Sequence, residues 1–120
     1  MRIVIVDDSD MLRDRVKDAL KVVKDIEIVG EAKDGFEALQ VIKDTNPDFL
    51  ILDIRMPELN GISVLKKIKE EGIKSKVLIL SNYPYQQYKE KCFEEGADYF
   101  IDKNEDFQVM VNIVDKEAHK

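Results

Sequence analysis

The chain has 120 residues, 44% of them hydrophobic, and a formal net charge of -6 at pH 7. A chain of this size buries one hydrophobic core, so we predict a single domain over residues 1–120. Lysines and arginines are scattered among the acids, which argues against direct nucleic-acid binding by this domain. The single cysteine excludes an intrachain disulfide. Because no apolar run reaches membrane-spanning length and no signal-peptide pattern opens the chain, we expect a cytoplasmic protein without membrane contact.

The first predicted strand ends on two acids. Arg2–Val6 is rich in β-branched residues, which favours a buried strand, and Asp7 and Asp8 follow it directly. Ser9 or Asp8 is predicted to cap the next helix. Apolar residues recur in that helix at three- and four-residue spacing, at Met11, Leu12, Val16, Ala19, Leu20 and Val23.

A short second strand is predicted at Ile26–Gly30, and a second helix opens at Gly35 and stops before Pro47. The inward positions of this helix are predicted to be Phe36, Ala38, Leu39 and Ile42. The central strand follows as an unbroken apolar run, Phe49–Leu52, which is typical of a strand buried on both faces. Asp53 ends it, at the point where a parallel strand opens into a solvated crevice.

The second half of the chain continues the alternation. Its predicted elements are a helix between Gly61 and Gly72, a strand at Val77–Leu80 that ends in Ser81, a helix from Pro84 or Tyr85 to Glu95, and a strand at Asp98–Asp102 that ends at Lys103. Asn104 is predicted to cap the last helix. Strands that alternate with helices of this length predict an α/β fold, in which a parallel sheet lies between two helix layers.

Four predicted strands bring polar residues to the same edge of this sheet: Asp7 and Asp8, Asp53, Ser81, and Lys103. Three carboxylates close together repel one another unless a cation lies among them. Hard oxygen ligands without a nearby His or Cys favour Mg²⁺. Lys103 and Ser81 are predicted to hold the remaining oxygens of a phosphoryl group, one by charge and one by a hydrogen bond.

Asp53 is the best-placed nucleophile of the three acids. A carboxylate can attack phosphorus and form an aspartyl phosphate, and the residues around it then supply positioning and charge neutralisation. Each residue alone has an ordinary explanation: Asp7 and Asp8 can cap a helix, and Lys103 can be a solvated charge. The combination of residues at one sheet edge carries the prediction.

Five separately placed motifs resemble the receiver domain of bacterial and archaeal response regulators, and the resemblance covers essentially the whole chain. The motifs are Asp7-Asp8, Asp53 with Met56-Pro57 and Gly61, Ser81, Gly96-Ala97-Asp98, and Lys103. The resemblance implies a flavodoxin-like (βα)5 three-layer sandwich with a five-stranded parallel sheet in the order 2-1-3-4-5.

The resemblance also implies a phosphorelay chemistry. Asp53 would accept a phosphoryl group from the phosphohistidine of a sensor histidine kinase or a phosphotransfer protein. Mg²⁺ would be held by the side chains of Asp7, Asp8 and Asp53 and by the main-chain carbonyl of Arg55. The domain would catalyse its own phosphorylation and dephosphorylation, and it would be a signalling module instead of an enzyme with a separate substrate.

The resemblance further implies which residues respond to phosphorylation and which surface binds the downstream partner. Ser81 would sense the phosphoryl group beside Lys103, and Phe100 would be the aromatic residue that reorients with it, although Phe100 can also be simple core. A downstream output protein or domain would bind through the fourth helix, the fifth strand and the fifth helix, a face that also suits a dimer contact. The sequence fits a stand-alone receiver or the receiver half of a longer transcriptional regulator.

Two residues depart from the family pattern, and two other functions remain as alternatives. The family usually has Lys-Pro where this chain has Lys103-Asn104, and a small residue where it has Asn82. A Mg-dependent phosphohydrolase could also use an aspartate nucleophile, but it usually needs a second acid two residues later, where this chain has Arg55. A flavin or nucleotide binder lacks its glycine-rich signature after the first strand.

Overall fold

The computed structural model describes residues 1–54, 60–82, 86–104 and 107–120. The strands are β1 Arg2–Val6, β2 Glu27–Ala32, β3 Phe49–Leu52, β4 Lys76–Ser81 and β5 Tyr99–Asp102. The helices are α1 Asp10–Leu20, α2 Gly35–Thr45, α3 Gly61–Glu70, α4 Gln86–Glu94 and α5 Gln108–Ala118. Neighbouring strands are parallel throughout, in the order β2-β1-β3-β4-β5. The predicted α/β fold and its strand order are therefore confirmed.

Alternate side chains of the strands enter two hydrophobic layers, one on each face of the sheet. On one face Val4 and Leu50 pack with residues of α2, α3 and α4. On the other face Ile3 and Ile51 pack with residues of α1 and α5. Every residue of β3 is at most 1% exposed, which confirms the predicted burial of the central strand on both faces. Because burying one large aliphatic side chain stabilises the fold by roughly 1.5–3 kcal/mol, β3 is fixed in position.

One residue assigned to an inward helix face is exposed. Phe36 is 60% exposed, so its predicted inward placement is wrong, and Met11, part of the apolar pattern of the first helix, is 74% exposed. In α2 the buried side chains are Ala38 and Ile42. Phe36 lies two positions before Ala38, about 200° away around a helix of 3.6 residues per turn, and it therefore points away from the sheet.

Two predicted boundaries also differ from the structure. β2 extends to Ala32, two residues past the predicted end, and its pairing with β1 contains a register shift between Ile3 and Val4. The last helix begins only at Gln108, so the predicted cap at Asn104 is wrong. The Asn104 N–H instead donates to Asp102 Oδ1 at 2.9 Å, in a tight turn after β5. The predicted start of the fourth helix at residues 84 or 85 lies outside the described residues.

Three helices are capped by short polar side chains. Ser9 accepts a hydrogen bond from the Leu12 N–H at the start of α1, which settles the choice between Ser9 and Asp8. Asp34 caps α2 and Asn60 caps α3 in the same way. Such caps typically stabilise a helix by about 1 kcal/mol. Within the described ranges, no helix has the length and apolar character needed to cross a bilayer.

The end of α5 is tied to the loop before β2 by the single histidine of the sequence. His119 Nε2 lies 3.1 Å from Asp25 Oδ2, and its Nδ1 lies 2.9 Å from the Asp115 carbonyl oxygen. The Met1 ammonium donates to the Asp25 carbonyl at 2.6 Å. The hydrogen bond at the Asp115 carbonyl, and then that at the Asp25 carboxylate, raise the pKa of His119.

We predict that His119→Gln destabilises the fold in acid more than in base. A pKa raised above 6.5 in the folded state means that the stabilisation is complete below that pH and is lost as the pH rises through the folded pKa. Urea unfolding at about pH 5.5 and about pH 8.5 should therefore show the larger loss at the lower pH. The neighbouring exchange Lys116→Gln should show no such pH dependence. An equal loss at both values would contradict the prediction.

Candidate functional site

Three carboxylates meet at the carboxyl edge of the sheet. β1 and β3 are paired neighbours, and the Asp53 N–H continues their ladder by donating to the Val6 carbonyl at 3.0 Å. This pairing sets Asp53 beside Asp7. Oxygens of Asp7, Asp8 and Asp53 all lie within 4.8 Å of one another. The structure therefore brings together the three acids that the sequence predicts at this edge.

The Lys103 ammonium lies between two of these acids. Its Nζ is 2.7 Å from Asp7 Oδ2 and 3.3 Å from Asp53 Oδ2. Asp7 and Asp53 are 3% and 4% exposed, and the Lys103 side chain is 8% exposed. The predicted solvated crevice therefore describes only Asp8, which is exposed. Two buried carboxylates need a buried cation as partner, and Lys103 supplies it.

Ser81 lies between Lys103 and the acids in the order of the sheet. β4 separates β5 from β3, so the Lys103 side chain must cross the end of β4 to reach Asp53. Ser81 ends β4 and is 0% exposed, and its small side chain leaves room for that crossing. The Lys103 N–H also donates to the Ser81 carbonyl at 2.7 Å, which fixes the start of the Lys103 loop. The Lys103-Asn104 peptide is trans.

Phe100 lies on β5, paired with Ile79. It is partly buried and packs against the core layer on the α2, α3 and α4 face. This packing is typical of a residue at the edge of the core, and the switch role of Phe100 stays a prediction. The main-chain carbonyl of Arg55, predicted as a metal ligand, lies outside the described residues.

Asp7 and Asp8 open into a cleft of about 290 Å³. Its lining residues are Asp7, Asp8, Ser9, Met11, Leu12, Arg15, Asn82, Lys103 and Asn104. Met11 and Arg15 were not among the site residues predicted from the sequence, although their spacing of four residues on α1, shortly after the two acids, is a signal for one shared helix face. The exposure of Met11 is explained by this position at the cleft. The guanidinium of Arg15 also stacks on the Phe107 ring, 5.1 Å from its centroid, and so joins α1 to the segment before α5.

The donor set suits a hard divalent cation. Three carboxylates converge on one point, and against them the described residues supply the single Lys103 ammonium. A group of oxygen donors with excess negative charge is the environment that Mg²⁺ prefers. Asp7, Asp8 and Asp53 therefore fit the metal that the sequence predicts.

Gly61, the first residue of α3, packs directly against the backbone at the end of β3. Its N–H donates to the Ile54 carbonyl at 2.6 Å. A Cβ atom at this position would lie 2.1 Å from the Asp53 carbonyl oxygen and 2.8 Å from Ile54 Cα. Gly61 is thus required by a close approach between the start of α3 and the end of β3, and it is more than an ordinary turn glycine.

Comparisons with known proteins identify relatives over nearly the whole chain. A family model described as the response regulator receiver domain matches residues 3–115. An uncharacterized transcriptional regulatory protein of Bacillus subtilis, YhcZ, is 34% identical over 111 residues, which are 92% of this chain and 52% of that protein. The chain spans about half the length of several curated relatives that it matches.

Solved structures agree with the sequence comparison. The signal receiver domain of NarL from Mycobacterium tuberculosis has a TM-score of 0.90 at 32% identity, with 98% of this chain and 94% of that chain covered. A chain from the CheX-CheY-BeF3-Mg complex of Borrelia burgdorferi has a TM-score of 0.89 at 30% identity, with 100% and 90% covered. The similarity therefore extends over the complete sheet and its helices.

We predict that Gly61→Ala destabilises the fold by about 2 kcal/mol or more, because the methyl group would collide with backbone that cannot move without displacing Asp53. Gly72→Ala is the matched control, since Gly72 has a φ of +71° but no atom within 4 Å of the new Cβ. That control should show only the left-handed backbone strain, about 1–2 kcal/mol. Urea unfolding measures both variants. A smaller loss for Gly61→Ala than for Gly72→Ala would contradict the steric argument.

Proposed function

The chain belongs to the response regulator receiver family and acts in two-component signalling, and on this premise we propose that Asp53 is its phosphoryl acceptor. One observation carries the proposal: Asp53 ends the central strand with its carboxylate 3.3 Å from the Lys103 ammonium. Its oxygen also lies within 4.8 Å of those of Asp7 and Asp8. The proposed nucleophile Asp53, the Lys103 ammonium and the two further acids therefore lie close together in one site.

The transfer is a displacement at phosphorus. An Asp53 carboxylate oxygen attacks the phosphorus of a phosphohistidine, an O–P bond forms, and the P–N bond breaks with its electron pair left on the imidazole nitrogen. Lys103 neutralises negative charge on the transferred group, because its ammonium already lies beside Asp53. Ser81 is proposed to hydrogen-bond a phosphoryl oxygen from the end of β4.

Asp7, Asp8 and Asp53, together with the Arg55 carbonyl, are proposed to hold Mg²⁺. Bound there, the ion would supply positive charge to balance that of the phosphoryl oxygens. The chain's own residues do the rest of the positioning. The Ser9 N–H donates to Asp7 Oδ1 at 2.9 Å, so the Asp7 carboxylate is held before any ligand arrives.

Downstream partners are proposed to bind the surface formed by α4, β5 and α5. Ser81 and Phe100 are proposed to change position together on phosphorylation, as a population shift between two states. Each of the two helices carries an exposed apolar side chain, since Phe93 of α4 is 43% exposed and Val109 of α5 is 45% exposed. This surface suits a downstream output protein or domain, or a second copy of the chain.

The domain is also proposed to catalyse its own phosphorylation and dephosphorylation. The alternative of a Mg-dependent phosphohydrolase is not favoured, since the relatives are response regulators. The position that would carry the second catalytic acid of such an enzyme holds Arg55. A sensor histidine kinase or a phosphotransfer protein is accordingly the proposed phosphoryl donor in the cell.

We predict that acetyl phosphate with Mg²⁺ adds one phosphoryl group to the protein, and that Asp53→Asn or chelation of the metal abolishes the addition. The physical reason is that an amide oxygen is a poor nucleophile and that the acids need a cation to accept an anionic donor. Intact-protein mass spectrometry measures the product. Asp48→Asn, which changes an exposed carboxylate at the other end of β3, is the matched control and should be phosphorylated normally.

Two outcomes would contradict the assignment. Persistent phosphorylation of Asp53→Asn in the presence of Mg²⁺ would place the acceptor at another residue. Continuous turnover of a phosphate ester substrate, with the protein acting as a true catalyst, would favour the phosphohydrolase instead.

A further inference from the structure

Arg13 of α1 connects three elements beside the acidic cleft. Its guanidinium donates to the Asp7 main-chain carbonyl at 2.5 Å and to Glu31 Oε1 of β2 at 3.1 Å. It also pairs with the carboxylate of Asp10 in the first turn of α1. The Arg13 side chain is only 12% exposed. A buried arginine that joins the end of β1, the edge strand and the helix start is a fixed part of the structure.

The carbonyl that Arg13 holds belongs to the peptide between the two neighbouring acids. Asp7 is held at every other polar atom too: its N–H donates to the Ala32 carbonyl at 3.0 Å, and its carboxylate accepts from the Ser9 N–H and the Lys103 ammonium. Asp8 is exposed. The orientation of its carboxylate therefore depends on the plane of the Asp7-Asp8 peptide.

We propose that Arg13 is a positioning residue for metal binding, which rests on the proposed function of this cleft. By holding the Asp7 carbonyl, Arg13 fixes the Asp7-Asp8 peptide plane so that the Asp8 carboxylate faces those of Asp7 and Asp53. Arg13 does not touch the metal. It acts through the backbone, as an outer partner that orients the ligands.

The surrounding charges explain why an arginine suits this role. A guanidinium has five N–H donors in a planar fork and can reach three acceptors at once, whereas an ammonium on a flexible stem cannot hold the same geometry. Two carboxylates, of Asp10 and Glu31, balance its charge. Lys17 also contacts Glu31, with Nζ 2.9 Å from Oε2, and so keeps that carboxylate in place. Arg13 can thus lie near a cation site without strongly repelling the cation.

The direction of the change in Mg²⁺ affinity when Arg13 is removed distinguishes a positioning role from a purely electrostatic one. If Arg13 acted only as a nearby positive charge, its removal would strengthen Mg²⁺ binding, because the cleft would become more negative. If it positions Asp8, its removal weakens binding, because one ligand loses its orientation. The two explanations therefore predict opposite changes in the dissociation constant.

The test is the Mg²⁺ dissociation constant of the intact chain, measured by calorimetric titration without a phosphoryl donor. We expect Arg13→Ala to weaken Mg²⁺ binding about 10-fold, the lower end of the effect of losing an outer partner of a metal ligand. Arg13→Lys should fall between this variant and the original chain. Lys21→Ala, which removes an exposed positive charge just past the other end of α1, is the charge-matched control and should bind Mg²⁺ as well as the original chain.

The outcomes distinguish this inference from the proposed function. Unchanged or tighter Mg²⁺ binding by Arg13→Ala would overturn the positioning role while leaving the metal site intact. Absence of Mg²⁺ binding by the original chain would overturn the metal site itself. Thermal unfolding without metal shows whether each variant is folded. If Arg13→Ala does not fold, Arg13→Lys decides, because it keeps the charge and loses the three-way geometry: weaker binding supports the role and unchanged binding overturns it.

Discussion

The Lys103 ammonium, held between the carboxylates of Asp7 and Asp53, is the interaction on which the rest of the structure depends. A parallel sheet brings the ends of its strands to one edge, and three of those ends carry acids and a lysine that are almost completely buried. Without the lysine the two carboxylates would face each other in a poorly solvated site, at a cost of several kcal/mol. With it, the acids keep an excess of negative charge that a divalent cation can neutralise. Under the proposed function, the same charges hold the resting site together and receive the phosphoryl group.

The fold fixes this charge arrangement from several directions. Asp53 is set by the ladder between β3 and β1 and by the close approach of Gly61 to its carbonyl oxygen. Lys103 is anchored at its N–H by the Ser81 carbonyl, and Ser81 is small enough to let the lysine side chain cross β4. Asp7 is held by the Ser9 N–H and the Arg13 guanidinium. These contacts join the site to β3, β4 and α1.

Much of the site could be predicted from the sequence, because it follows from where strands end. Hydrophobic runs identify β1, β3 and β4, and the residue after each run must lie at the shared edge, which is sufficient for Asp7, Asp53 and Ser81. Arg13 could not be predicted in the same way. Its partner Glu31 is distant in the sequence, on a partly exposed strand, and no local pattern pairs the two. Periodicity also misplaced Phe36, because it cannot distinguish an apolar core position from an apolar exposed one. Asn104 is a residue type that commonly caps helices, which is why a cap was predicted there. No local residue preference indicates that α5 begins only at Gln108.

Acceptance of the phosphoryl group by Asp53 is tested most directly by identifying the modified residue chemically. Borohydride reduces the acyl phosphate of an aspartate to homoserine, so the modified position can be found by peptide mass spectrometry after treatment with acetyl phosphate and Mg²⁺. Homoserine at position 53, and only when both reagents are present, is the expected result. Homoserine at position 7, position 8 or any other acid, with position 53 unchanged, would contradict the assignment of the nucleophile.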